Sequence, residues 1–366
     1  NYNNCNEKTR AGEEIWMKKS ELFELRKRCG DPDALCGVRD VVFNDGPAKG
    51  MRALELRNGR GMELTVLADR GLDIPYLSYR GVNIGLMNKV GLRSAALYQK
   101  EGASGFLKQF YGGMLTTCGL SHAGSPCRDG GEELGLHGPF DNTPAGRVAY
   151  ETICDGDALK LRVVGEVREA EVFGVNLLLR RELTLDTEEN RLHIRDVVEN
   201  QGFQTAPLMM VYHMNFGYPM LDEGARVYTT SAKVEPRTDF AREGMGNYDV
   251  MEAPEAGREE QCYYHLEPRD GEAFAMLHNE KLGLAAVIRY DKSVFPLLCE
   301  WKCMRAGEYA LGLEPTTSGV VSRAEARENG MLTWLEPGQT REFNVSLELT
   351  EDEEIIEQLK KSAPRA

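Results

Sequence analysis

Ala158-Leu159-Lys160-Leu161-Arg162-Val163-Val164-Gly165-Glu166-Val167 sets apolar side chains against polar ones nearly residue by residue, and this stretch decides the fold class. A strand puts successive side chains on opposite faces, so alternation marks a sheet with one face in the core and one in water. Asn176–Leu185 and Leu192–Val198 repeat the pattern. Working outward, Val38–Phe43, Arg52–Leu56 and Met62–Leu67 read as shorter strands. Asn44-Asp45-Gly46, Asn58-Gly59, Asp155-Gly156-Asp157, Asn200-Gln201-Gly202 and Asp270-Gly271 supply turns between such segments. No βαβ alternation and no glycine-rich phosphate loop is found, which argues against a parallel nucleotide-binding sheet. Many short strands with regular turns predict an all-β sandwich.

Helices are expected only at the two ends. Glu13–Arg28 carries Ile15, Leu22, Phe23 and Leu25 among charges, and Cys29-Gly30-Asp31-Pro32 stops it. A second short helix is expected over Thr350–Lys361. The domain reading is therefore an N-terminal helical extension (1–36), a β-sandwich catalytic domain (37–350) and a C-terminal helix or tail (351–366). One segment breaks the pattern: Gly112–Pro144 is rich in Gly, Ser and Pro and lacks periodicity. Loops of that length inside a domain are usually functional.

Composition excludes several classes. The chain has 366 residues and a formal net charge of −14, which opposes nucleic acid and anionic membrane surfaces. No run approaches the roughly 18 apolar residues of a membrane span. Asn1–Lys8 is polar and does not read as a signal peptide. The 9 cysteines are scattered without a CxxC or Cys/His cluster. They read as reduced thiols in a cytoplasmic protein, with no metal site expected. The sequence leaves a homodimer open.

Three short strings carry the chemistry: Leu136-His137-Gly138, Tyr212-His213-Met214-Asn215 and Leu311-Gly312-Leu313-Glu314-Pro315. Two imidazoles and a carboxylate suit a reaction in which one group takes a proton and another gives one. Strand parity sets His213 and Asn215 on one face and Tyr212, Met214 and Phe216 on the other. It likewise groups Ala310, Gly312 and Glu314, small residues flanking a carboxylate at a sheet rim. A surface histidine and a solvated strand glutamate would read the same way. His122 lies in the same long loop as His137. His193, His265 and His278 sit in strand-like runs and read as structural or exposed. Arg70, between Asp69 and Asp73, reads as an anion or hydroxyl binder or as a turn salt bridge. Glu300-Trp301-Lys302 alternates faces, with Trp301 either a sugar-stacking ring or a core residue. Arg70, Arg128 and Lys302, near these motifs, leave an acidic sugar open.

In order, these strings resemble the aldose 1-epimerases (galactose mutarotases), and more closely a poorly characterised bacterial branch of them. The resemblance rests on Leu136-His137-Gly138-Pro139-Phe140, Tyr212–Pro219, Leu313-Glu314-Pro315-Thr316 and Ala68-Asp69-Arg70-Gly71-Leu72-Asp73-Ile74. It implies a galactose mutarotase-like β-supersandwich that binds a small-molecule carbohydrate and needs no cofactor. It also implies roles: Glu314 as base at the anomeric hydroxyl, His213 as acid at the ring oxygen, and His137 stabilising the open form. Substrate contacts would come from Arg70, Asn215, Asp222, His122, Glu300, Trp301 and Lys302. Pro139 stands where the family carries a second glycine, and Asp222 is the candidate for its substrate-anchoring aspartate. The alternatives are a sugar isomerase or lyase that uses a carboxylate base, and a carbohydrate-binding module without turnover.

Overall fold

The computed structural model describes residues 19–268 and 272–364. Glu13–Lys18 of the expected N-terminal helix and the Asp270-Gly271 turn lie outside the described residues. Within them the first helix is Leu22–Cys29, preceded by a 3-10 turn. The last helix is Glu353–Ser362, shifted from Thr350–Lys361 because Thr350 still belongs to a strand. Asp352 caps this helix by accepting from the Glu354 and Ile355 amides. Its buried Ile356 packs on Phe274, Met276, Ala285 and Val287.

Two large antiparallel sheets face each other. One has eight strands in the order 146–155, 158–170, 176–186, 191–200, 340–350, 284–290, 273–279 and 226–229. The other has six, in the order 231–236, 261–268, 297–303, 310–316, 211–216 and 116–118. A five-stranded sheet spanning Gly37–Asn83 adjoins the second through bridges Ile74–Leu115 and Gly85–Phe216. The core forms where the apolar parities meet. Leu161, Val163, Leu183, Leu185, Ile194 and Leu347 from the larger sheet pack with Tyr212, Met214, Leu298, Leu311 and Leu313 from the smaller. The alternation first read at Ala158–Val167 extends over the whole Ala158–Ala170 strand.

A buried charge network ties the layers together. Arg181 is fully buried and binds Asp196 through Nε (2.9 Å) and Nη2 (2.7 Å). Its Nη1 donates to Asp73 (3.0 Å) and to the Gly71 carbonyl (3.0 Å), and its Nη2 donates to Thr117 Oγ1 (2.9 Å). Tyr212 donates its hydroxyl to Asp196 (2.5 Å). One guanidinium thus joins the larger sheet to the five-stranded sheet and, through Thr117 and the Asp196–Tyr212 bond, to strands 116–118 and 211–216 of the six-stranded sheet. Buried charges persist only when paired and hydrogen-bonded in this way.

Gly112–Pro144 is not the open loop its composition suggested. It contains strand pieces at Gly112–Gly113, Thr116–Cys118, Cys127–Asp129 and Glu132–Leu134, and residues 112–124 are buried throughout. Gly112, Gly113, Gly119, Gly124 and Gly138 reflect close packing, whereas Gly130 and Gly131 are exposed at the turn between the two short strands. Among the described residues all eight cysteines are free thiols, and no helix is long and apolar enough to cross a membrane.

Candidate active site

The outer face of the six-stranded sheet carries the site. The register of Val211–Phe216 with Ala310–Thr316 pairs Met214 with Leu313 and Val211 with Thr316, which sets His213 across from Glu314. The same row continues to Cys299 and Tyr264. The next row on that face holds Asn215, Gly312, Trp301 and Cys262. His213 Nδ1 and Glu314 Oε1 lie 3.3 Å apart without the alignment of a hydrogen bond, so each is left unpartnered. Both side chains are almost wholly buried.

Gly312 makes the Glu314 position available. A Cβ there would collide with Glu314 Oε1 and press on His213 Cε1 and Trp301 Cβ, both at 3.3 Å. The space that Gly312 leaves beside Glu314 is filled by the carboxylate itself. Gly312→Ala is expected to push the carboxylate off His213 and cut turnover about 10²-fold, since small displacements of reacting groups cost that much. Its unfolding midpoint in urea would stay near that of the wild type.

His137 arrives from the other side. It sits at φ +62° in the left-handed region, rare for a non-glycine residue. Its amide donates to the Gly124 carbonyl (2.8 Å), and its carbonyl accepts from the Gly119 amide (3.2 Å). Gly138, at φ +74°, follows because a Cβ there would strike the His122 and Gly119 carbonyl oxygens. These contacts bring the His137 ring 5.6 Å from that of His213, centre to centre. The Phe106 ring lies tilted against His137 (4.7 Å), while Phe110 (5.3 Å) and Trp301 (5.5 Å) flank His213. His137 Nδ1 has no partner.

Burial governs the electrostatics. Desolvation pushes the Glu314 carboxyl well above its ordinary range, with Arg237 opposing. It holds His213 down at about 4, with the neighbouring Asn215 side chain opposing. His137 is also driven well down, first by burial and then by the charges of His213, His122 and Arg237. Burial thus works against both charges of the pair and favours a neutral imidazole beside a protonated carboxyl over the ion pair.

Of the residues expected at the site, the structure gathers His213, Glu314, His137, His122 and Trp301. His122 lies behind His137, buried and with both ring nitrogens unpartnered. Trp301 is half-buried and donates its indole N–H to Glu260 (2.7 Å). Asn215 is adjacent, but its amide donates to the carbonyls of Gly112 (3.1 Å) and His213 (2.9 Å), so it clamps the strand.

Four others are not brought to the site. Glu300 and Lys302 occupy the opposite face, as alternation with Trp301 requires. Glu300 bonds His265 (2.8 Å), and Lys302 bonds Glu252 (2.6 Å) and two backbone carbonyls. Arg70 is fully buried and pairs with Asp141 (2.7 Å), with further bonds to the carbonyls of Arg93 (2.8 Å) and Gln109 (3.4 Å). It is a clamp between loops, neither a ligand reader nor a local turn bridge. Asp222 pairs with Lys281 (2.8 Å) on a turn. The sequence reading also missed members of this face: Phe106, Phe110, Tyr264 and Arg237. Tyr264 shares parity with Cys262, a signal that strand pairing turns into a position.

Solved structures on the same fold give the site a context. A candidate aldose 1-epimerase from Klebsiella pneumoniae subsp. pneumoniae superposes with a TM-score of 0.82 at 25% identity, covering 88% of this chain and 86% of its own. A galactose mutarotase-like protein from Clostridium acetobutylicum gives 0.60 at 16% identity, covering 86% and 98% respectively. A galactose 1-epimerase from Lactobacillus acidophilus gives 0.55 at 15%, covering 86% and 98%. No functionally curated protein matches the sequence. The family described as Domain of unknown function (DUF4432) matches residues 48–349. The fold is thus the galactose mutarotase-like sandwich, and the chain belongs to the DUF4432 family.

Proposed function

We propose that the protein is a cofactor-free aldose 1-epimerase that interconverts the α and β anomers of a sugar. The observation that carries this reading is the His213–Glu314 pair, 3.3 Å apart, unpartnered and walled by aromatic rings. Glu314 takes the anomeric hydroxyl proton while His213 delivers one to the ring oxygen. The C1–O5 bond breaks, the C1–C2 bond rotates, and reclosure on the other face of the aldehyde returns both protons. Burial favours neutral His213 beside protonated Glu314, the state that accompanies the open-chain sugar. The site thus stabilises the high-energy species more than the closed rings, as catalysis demands. His137 supports the open form by hydrogen bonding, and Trp301 and Phe110 offer faces for sugar C–H groups.

The same shifts set the pH dependence. Turnover requires one proton on the pair, so it is lost when a second proton binds the imidazole. In the free protein that happens near the His213 value of about 4, well below the ordinary 6.5. The expected kcat/KM holds level down to about pH 5 and falls about tenfold per unit below 4. An acid limb at 6.5 would refute a buried His213 acid. A raised Glu314 pKa also suits abstraction of a carbon-bound proton, which supports a second reading as a sugar isomerase. Solvent deuterium appearing at C2 would identify that reaction, whereas mutarotation leaves C2–H intact.

A further inference from the structure

Arg237 continues the row of the active face beyond the end of its strand. Its amide donates to the Cys262 carbonyl (2.9 Å), placing it beside Cys262, Trp301 and Gly312 in sequence across the sheet. The side chain is exposed at the rim and reaches over to Ser125 Oγ (3.0 Å) on the segment that bears His137. Its charge also lowers the pKa of the Cys262 thiol. Its charge is felt at both Glu314 and His137.

Arg237 combines a place on the row of the active face with the lack of a counter-ion. Among the described residues Arg237 pairs with no carboxylate, although the chain carries 58 acidic residues against 44 basic ones. Nearby, Arg323 and Arg327 share Asp129 at 2.6 and 2.7 Å. Glu260, two residues before Cys262, spends its hydrogen bond on the Trp301 indole. Of the three cations the sequence offered for an acidic substrate, Arg70 and Lys302 are consumed by internal pairs, and Arg128 is exposed on the Cys127–Asp129 strand, off the row that carries His213 and Glu314.

We propose that the substrate carries an anionic group (carboxylate, phosphate or sulfonate) and that Arg237 binds it while the anomeric carbon lies between His213 and Glu314. The inference rests on the epimerase reading of that pair. Three strand spacings, roughly 14 Å between Cα atoms, separate Arg237 from Gly312. An extended arginine bridges about half of that, leaving the length of a pyranose ring. The anion therefore belongs at the end remote from the anomeric carbon, at C6 of a hexose. A guanidinium presents paired N–H donors that match two oxygens of such a group.

The test compares glucose, glucose 6-phosphate and glucuronate in anomer exchange by NMR, using wild type, Arg237→Ala and Arg237→Lys. The wild type is expected to favour at least one anionic sugar over glucose by tenfold or more in kcat/KM. Alanine should reduce that preference at least tenfold, and lysine should restore part of it. The phosphate and carboxylate arms identify which anion is read. Equal or better exchange of glucose, or a preference unmoved in Arg237→Ala, would overturn the inference and leave the epimerase reading standing. Absence of exchange with every sugar would overturn the epimerase reading instead. Calorimetric binding of 1,5-anhydroglucitol and its 6-phosphate then decides Arg237: phosphate-dependent binding lost in Arg237→Ala supports its role, and equal binding overturns it.

Discussion

Replacing Glu314 by Gln is expected to lower the acceleration of anomer exchange about 10³-fold while the protein stays folded. The amide keeps the shape of the side chain and its fit over Gly312, but it cannot take a proton. Loss of a positioned acid or base costs about 10²–10⁴-fold. His213→Ala is expected to fall as far, because the two groups hand one proton between them. The double variant should then be little worse than either single one, since residues that act as a unit are not additive. Affinity for a sugar that cannot open, such as a 1,5-anhydro analogue, would change only a few-fold in Glu314→Gln. Exchange at near wild-type rate in that variant would remove Glu314 from the mechanism.

The second large effect is on stability. Arg181→Met is expected to destabilise the fold by about 3–5 kcal/mol, read as a shift in urea unfolding. The loss comes less from the missing contacts than from Asp73 and Asp196, which remain buried without their shared cation. Adding Asp73→Asn and Asp196→Asn should recover part of it, because neutral amides cost less to bury than unpaired carboxylates. If Arg181→Met does not accumulate as folded protein, Tyr212→Phe removes only the hydroxyl that binds Asp196. That variant should lose roughly 1.5–3 kcal/mol, the usual worth of a hydrogen bond to a charged group. A Tyr212→Phe protein as stable as wild type would mean the network is not holding the layers.

Both predictions show what could be read in the sequence and what could not. Alternation along Ala158–Val167 and its neighbours marked the sheet, and parity put His213 and Glu314 on polar faces where pairing could join them. The same parity carried information that was not used. Trp301 faces the site, so Glu300 and Lys302 had to face away from it. Arg181 shares its parity with Leu179, Leu183 and Leu185, and Asp196 with Ile194 and Val198, all buried. A charged residue at a core parity is the mark of a buried network, and both were visible as such. Other features had no local signal. Arg237 follows Glu235-Pro236 at a strand end, where periodicity stops and only cross-strand pairing gives it a neighbour. The partner of Arg70 is Asp141, far along the chain, while its acidic neighbours Asp69 and Asp73 serve the Arg52 amide and Arg181. The Gly112–Pro144 segment misled because glycine marks close packing as well as open loops.

The measurement that bears most directly on the account is NMR exchange between α and β anomer signals in D₂O, with wild type and Glu314→Gln side by side. Sugars with and without an anionic group at C6 would form the panel. The account expects the wild type to accelerate exchange for at least one sugar, with C2–H retained and Glu314→Gln near the uncatalysed rate. Folded wild-type protein that accelerates exchange of no sugar, or that exchanges C2–H instead, would contradict it.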